Sequence, residues 1–299
     1  MPEQAEASRT AAYMALFRAL ETGRRGGLFA DPYAVRFLPG GLRAAGAAAR
    51  VPPLRAGVCR YIDRRWPGAR TSAVARTRAI DDLLAEALGT GLRQVVFLGA
   101  GYDTRALRLP SLAGVAVFEL DQPALLAAKR ERLGADAERT GPATARALRR
   151  VPIDFARDEV VPTLARAGFD PASPAVFVWE GVTNYLTAEA ADSTFRAVAS
   201  TARGGRLAFT YVHSGVIDGS VEFEGAERLR STVSGVGEPW TFGLHPDELA
   251  AYLADRGLRL LGDEGADDYR RRLLGDSPHV LRGYAFYRLA VAEVAPSDA

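Results

Sequence analysis

The chain has 299 residues, 48% of them hydrophobic, which is enough to bury a full core within one large domain. With 38 basic against 36 acidic residues the formal charge is only +2, so no basic face is offered to nucleic acid or to an anionic membrane. A lone cysteine, Cys59, excludes a disulfide framework, and His213, His245 and His279 stand at no metal-ligand spacing, which excludes a structural zinc site.

In chain order, residues 8–21 read as an amphipathic helix, with Ala12, Leu16, Ala19 and Leu20 at helical spacing behind Ser8, a suitable N-cap. The preceding residues are acidic and lack an apolar core, and no later run is apolar enough to span a membrane, so a cytoplasmic protein is expected. Asp31 and Pro32 open a second short helix, the acid capping it and the proline in its first turn. A longer helix covers 72–87 and carries Arg76, Arg78, Asp81 and Asp82 on its polar face. Together these segments predict a helical cap over residues 1–90.

Over residues 91–294 strands alternate with helices, the strands falling at 94–98, 115–118, 149–153, 175–179 and 206–212. Such alternation predicts an α/β fold whose mostly parallel sheet is covered by helices on both faces. A helix at 246–255 and strands at 258–262 and 283–291 follow, the last two placing an antiparallel edge on the sheet. Residues 295–299 are a short polar tail.

The first strand breaks into Gly99-Ala100-Gly101, a turn whose glycines let the backbone approach a ligand. Asp121 ends the next strand, 22 residues after Gly99, at the spacing that offers a carboxylate to ribose hydroxyls. A strand-to-helix turn without a ligand would also use glycine; the paired acid favours a cofactor site. Thr104 replaces the third glycine of the dinucleotide fingerprint, and Asp103 sets a negative charge beside the turn. Both features disfavour a pyrophosphate and suit a ligand with positive charge, such as the ammonium and sulfonium of S-adenosyl-L-methionine.

Ligands of open α/β sheets lie across the carboxyl ends of the strands. Four consecutive strands here end in acids: Asp103 after the first, Glu119 and Asp121 at the second, Asp154 after the third and Glu180 after the fourth. One such acid reads as a helix cap, whereas the series describes a polar-rimmed crevice. Phe155, beside Asp154, either packs on an adenine ring or belongs to the core. Arg76 and Arg78 offer guanidinium groups suited to gripping a carboxylate.

Taken in order, Ser8-Arg9-Thr10-Ala11, Leu28-Phe29-Ala30-Asp31-Pro32-Tyr33, Ala75-Arg76-Thr77-Arg78, Leu98-Gly99-Ala100-Gly101-Tyr102-Asp103-Thr104-Arg105, Phe118-Glu119-Leu120-Asp121, Glu180-Gly181-Val182-Thr183-Asn184-Tyr185 and Trp240-Thr241-Phe242-Gly243-Leu244 form a specific set. The chain resembles the leucine carboxyl methyltransferase family, and most of all its bacterial S-adenosylmethionine-dependent O-methyltransferases. The resemblance implies a class I methyltransferase-type Rossmann-like sheet. It also implies that Arg76 holds the methionine carboxylate, Gly99 to Gly101 back the methionine moiety, and Asp121 binds the ribose. Asp154 and Phe155 would receive the adenine, and Glu180 would face the methionine end near the acceptor. The eukaryotic members carry Glu-Cys-Val-Leu-Val-Tyr where this chain has Glu180-Gly181-Val182-Thr183-Asn184-Tyr185, so their protein substrate does not carry over. Bacterial relatives with the Glu-Gly form imply a carboxyl or hydroxyl group of a small natural product as acceptor.

Transfer from a sulfonium is an in-line displacement that needs alignment and exclusion of water. A carboxylate acceptor needs no base, whereas a phenol or alcohol must lose a proton. His213, just after the fifth strand, is the histidine placed for that role, unless it is a polar loop residue; Tyr185 either orients the acceptor or packs. Two rivals are weaker. A nicotinamide-dependent oxidoreductase would want glycine at Thr104 and a catalytic Tyr-x-x-x-Lys, which a chain with Lys129 alone cannot supply after a late tyrosine. An inactive binding protein on the same fold would have lost the strand-end acids.

Overall fold

The computed structural model describes residues 8–140, 148–235, 237–275 and 283–295. The expected tail beyond residue 295 and the acidic residues before Ser8 lie outside them. In chain order the elements are α1 (Ser8–Glu21), a 3-10 turn (Ala34–Phe37), α2 (Gly40–Ala48), α3 (Pro52–Arg65), α4 (Ala69–Gly89), β1 (Gln94–Leu98), α5 (Arg105–Arg108), β2 (Ala116–Asp121), α6 (Pro123–Thr140) and β3 (Leu148–Pro152). They continue with α7 (Val160–Arg166), β4 (Val176–Trp179), α8 (Ala188–Ala199), β5 (Arg206–Val212), α9 (Ser214–Asp218), α10 (Ala226–Ser234), α11 (Leu249–Ala254), β6 (Leu258–Gly265), α12 (Ala266–Leu274) and β7 (Tyr287–Val294).

The strands form one seven-stranded sheet in the order β3-β2-β1-β4-β5-β7-β6. β1 to β5 are parallel, and β7 runs antiparallel between β5 and β6. The strand order reverses beside β1, between β2 and β4, and ligands of open α/β sheets bind at such a switch point.

Strand residues point alternately to the two faces, and both faces are buried. Val96, Leu98, Phe118, Phe177 and Phe209 pack on one side against Phe195 and Val198 of α8 and Leu249 of α11. Val95, Phe97, Val117, Val176 and Val178 pack on the other against Ala79, Ile80 and Leu84 of α4. A third cluster joins Leu16, Phe17 and Leu20 of α1 to Phe37, Ile62, Val74 and Tyr102, so the N-terminal helices sit against the turn that follows β1. Phe37 and Tyr102 stack there with ring centroids 4.5 Å apart.

Several boundaries differ from the sequence reading for local reasons. The helix expected to open at Asp31 is a 3-10 turn, with Asp31 Oδ1 accepting hydrogen bonds from the N–H groups of Tyr33 and Ala34 at 3.1 and 3.0 Å. The last strand begins at Tyr287 instead of 283, because the Tyr284 N–H donates to Ser72 Oγ at 2.8 Å and the Gly283 N–H to Asp267 Oδ1 at 2.9 Å. Those bonds draw the segment off the sheet toward α4 and α12.

Candidate functional site

A cavity of about 680 Å³ opens at the carboxyl ends of β1, β2 and β4, within the size range of small-ligand pockets. Gly99 lies at its floor with φ +70°, and a Cβ there would overlap Cγ2 of Val182. Glycine is therefore required twice over, by backbone angle and by space. Gly101, at φ +41°, has nothing nearer than 3.9 Å in its Cβ direction, so its backbone is open to the cavity.

Asp121 reaches this turn from the end of β2. Its Oδ2 accepts the Gly101 N–H at 2.6 Å and its Oδ1 the Gln122 N–H at 2.7 Å. Burial nevertheless raises its carboxyl above the ordinary range, against the effect of those two bonds. Asp154 and Phe155, after β3, extend the same wall; Asp154 Oδ1 accepts the Ala156 N–H at 3.0 Å.

Opposite charges meet at the other side of the turn. Glu180, after β4, accepts from Arg76 Nε and from Arg105 Nη1, both at 2.7 Å. Burial alone would raise its carboxyl; Arg105 and Arg76 outweigh that and hold it at about 2. Arg76 comes from the middle of α4, and its guanidinium also lies 4.8 Å above the Tyr287 ring. Arg105 continues inward to Asp81 Oδ1 at 2.7 Å, and Asp81 pairs with Arg108 at 2.7 Å. Asp103 Oδ1 accepts the Arg105 N–H at 2.7 Å; burial would raise its carboxyl, but Arg105 draws it below the ordinary value. This web fixes Glu180 and Arg76 side by side, a carboxylate and a guanidinium facing the same space.

The cavity thus gathers Arg76, Gly99, Ala100, Gly101, Asp103, Asp121, Asp154, Phe155, Glu180 and Tyr185. Glu119 and His213 are not brought there. Glu119 lies two residues back from Asp121 on β2, roughly 6.6 Å deeper along the strand. It is 1% exposed and paired with Lys129 at 2.9 Å and Arg150 at 3.0 Å, so it braces α6 and β3 against the sheet. His213 lies just beyond the end of β5, its ring 5.0 Å from that of Phe223. There its Nδ1 accepts the Gly215 N–H at 3.0 Å and caps α9, and its ring lies 4.8 Å from that of His245. Burial, and then His245, lower its pKa.

Other lining residues carried no role in the sequence reading. Arg105 is one, although it stands in the same run as the glycine turn. Met14 of α1 is another, its sulfur 3.7 Å from Arg76 Nη2. Trp240, Tyr284 and Tyr287 come from distant segments that only the tertiary fold assembles.

The arrangement fits a zwitterionic nucleoside. The glycine turn leaves backbone open, Asp121 offers acceptor oxygens for a diol, Phe155 offers an apolar ring, and Arg76 with Glu180 complements a carboxylate and an ammonium. Residues 11–199 match the family model described as leucine carboxyl methyltransferase. Among curated relatives, a protein of Frankia alni is 40% identical over 211 residues, covering 70% of each chain, and one of Streptomyces avermitilis is 36% identical over 254 residues, covering 83% of this chain and 81% of the relative. Both bear the provisional name of S-adenosyl-L-methionine-dependent methyltransferase. Among solved structures, a DUF574 family protein from Streptomyces avermitilis superposes with a TM-score of 0.58 at 16% identity, covering 95% of this chain and 97% of the other. A provisionally assigned methyltransferase from Thermobifida fusca gives 0.57 at 19% identity, covering 81% and 89%. At those identities the two structures speak for the fold alone.

Proposed function

Because this chain belongs to the leucine carboxyl methyltransferase family, we propose that its cavity binds S-adenosyl-L-methionine and methylates an oxygen, a carboxylate or hydroxyl, of a small natural-product-type acceptor. The observation that carries the reading is the pairing of Arg76 with Glu180 beside the Gly99 to Gly101 turn, all lining one cavity with Asp121. When bound, the cofactor supplies a methyl group on a positively charged sulfur, open to in-line attack by a nucleophile.

The residues divide the work by charge and position. Arg76 grips the methionine carboxylate, and Glu180, ionised at neutral pH, holds the ammonium and favours a cationic ligand. Asp121 takes the ribose hydroxyls, while Asp154 and Phe155 receive the adenine. Tyr185 stays a neutral hydroxyl, because burial and then Tyr287 raise its pKa, so it orients an acceptor oxygen by hydrogen bonding and does not serve as a base.

The helices of residues 1–90 act as the cap. Thr10 Oγ1 donates to Glu238 Oε2 at 2.6 Å across the cavity mouth, and Arg18 Nη2 donates to the Tyr102 carbonyl at 2.6 Å. Closing this mouth excludes water, which would otherwise compete for the reacting groups. With His213 outside the cavity, its contribution is to cap α9. A nicotinamide oxidoreductase finds no support, since Lys129 is fully buried against Glu119.

The test is mass spectrometry after incubation with trideuteromethyl-labelled S-adenosyl-L-methionine and a mixed set of carboxylic acids, phenols, alcohols and amines. Label on oxygen acceptors is the expected result; label confined to amines or carbon acceptors overturns oxygen methylation.

A further inference from the structure

One end of the cavity is unlike the rest. From Arg76 the wall continues to the Tyr287 ring, 4.8 Å from the guanidinium, and on to Trp240, whose ring centroid is 6.4 Å from that of Tyr287. Tyr185, Tyr284, Leu229 and Val233 complete it. Val233, Trp240, Tyr284 and Tyr287 belong to a hydrophobic cluster separate from both cores of the sheet, and Tyr185 and Leu229 pack against it. They come from the β4 exit, from α10, from the loop that follows it and from the β7 entrance, so four chain segments meet to build one aromatic lining.

Charge is distributed in the opposite way. Among the described residues, the basic ones lining the cavity are Arg18, Arg76, Arg105 and Arg108. Each is already in an ion pair: Arg18 with Asp31 at 2.8 Å, Arg76 and Arg105 with Glu180 at 2.7 Å, and Arg108 with Asp81 at 2.7 Å. Arg76 is moreover the group assigned to the cofactor. With Arg76 taken by the cofactor carboxylate, Arg105 already held by Asp81, Asp103 and Glu180, Arg108 by both oxygens of Asp81, and Arg18 by Asp31 and the Tyr102 carbonyl, an acceptor carboxylate entering the aromatic end would lose its hydration without gaining a cation from these residues, and burying an uncompensated charge is strongly unfavourable. A neutral hydroxyl pays far less on entry and can bond to the phenolic groups in the wall. Flat rings stack against tyrosine and tryptophan with a preference beyond simple area burial.

We propose that the aromatic end selects a planar aromatic acceptor whose reacting group is a neutral hydroxyl, with Trp240 and Tyr287 as the residues that set this choice. The proposal deepens the methyltransferase reading and rests on it for the word acceptor; the selectivity itself is a property of the wall.

The test compares three probes of similar size by titration calorimetry on the protein saturated with S-adenosyl-L-homocysteine: 2-naphthol, 2-naphthoate and the saturated alcohol decahydro-2-naphthol. Binding of 2-naphthol at least tenfold tighter than either of the others is expected. Trp240→Leu should remove most of the preference over the saturated alcohol, and Trp240→Phe, which keeps a ring, should retain it. Both variants should bind S-adenosyl-L-homocysteine as the wild type does, which shows that they are folded. Equal or tighter binding of 2-naphthoate, equal binding of the saturated alcohol, or no binding of 2-naphthol overturns the proposal. If S-adenosyl-L-homocysteine itself does not bind, the cofactor reading falls, and the same three titrations on the bare protein still decide the selectivity.

Discussion

Glu180 is the residue on which the electrostatics of the site converge. Two guanidinium groups at 2.7 Å hold its carboxyl at about 2, below the ordinary 4.5, although burial pushes the other way. A carboxylate whose folded-state pKa is depressed adds stability that is complete above the unfolded value and is lost as pH falls toward the folded one. The contribution of Glu180 should therefore be full above about pH 5 and should drain away between roughly pH 4.5 and 2. Comparing urea unfolding of wild type with Glu180→Gln across that window checks the sign. The stability gap between them should narrow as pH falls, and a gap that widens or stays constant would contradict the assignment.

At the scale of elements, side-chain caps and strand parity decide what each segment can do. Thr187 caps α8 by accepting the Ala190 N–H at 3.2 Å, and α8 carries Phe195, whose ring packs edge-on against Trp179 and Phe209 at centroid distances of 5.1 and 5.0 Å. Thr187→Ala should cost about 1 kcal/mol, read as a lower urea midpoint with unchanged slope. The glycine turn, the parallel strands and the antiparallel edge were legible in the sequence, because hydrophobic alternation and glycine punctuation are local signals. Glu119 shows where local reading stops. Its neighbour Asp121 lines the cavity, yet Glu119 itself is held two residues deeper by Lys129 and Arg150, partners at 10 and 31 positions' remove. Likewise α2, α3 and α12 were not anticipated: α3 has an exposed face bearing Leu54 and Tyr61, which blurs the usual apolar stripe, and α12 is rich in Asp and Arg.

Across the whole molecule, long-range charge pairs tie the N-terminal helices to the sheet. Asp31 receives Arg18 Nε at 2.8 Å and the Thr104 hydroxyl at 2.7 Å, joining α1 to the residue that precedes α5. The aromatic end of the cavity has the same non-local character, because residues 185, 240, 284 and 287 share no motif and meet only in the tertiary fold. Lys129 reports on this global packing. It is the only lysine, it is 0% exposed, and it is paired with Glu119. An amine-acylating reagent should leave Lys129 unmodified in the native protein and modify it on denaturation, as peptide mass mapping would show; rapid acylation in the native state would contradict its burial.

S-adenosyl-L-methionine is assigned to one cavity, built on the Gly99 to Gly101 turn and Asp121. Calorimetric titration of S-adenosyl-L-methionine into wild type, Asp121→Ala and His213→Ala reads this assignment out. We predict binding of the order of micromolar, about −8 kcal/mol, for wild type and for His213→Ala, and a loss of tenfold or more for Asp121→Ala. A folded wild-type protein that binds no cofactor, or an Asp121→Ala variant that binds as tightly as wild type, would contradict it.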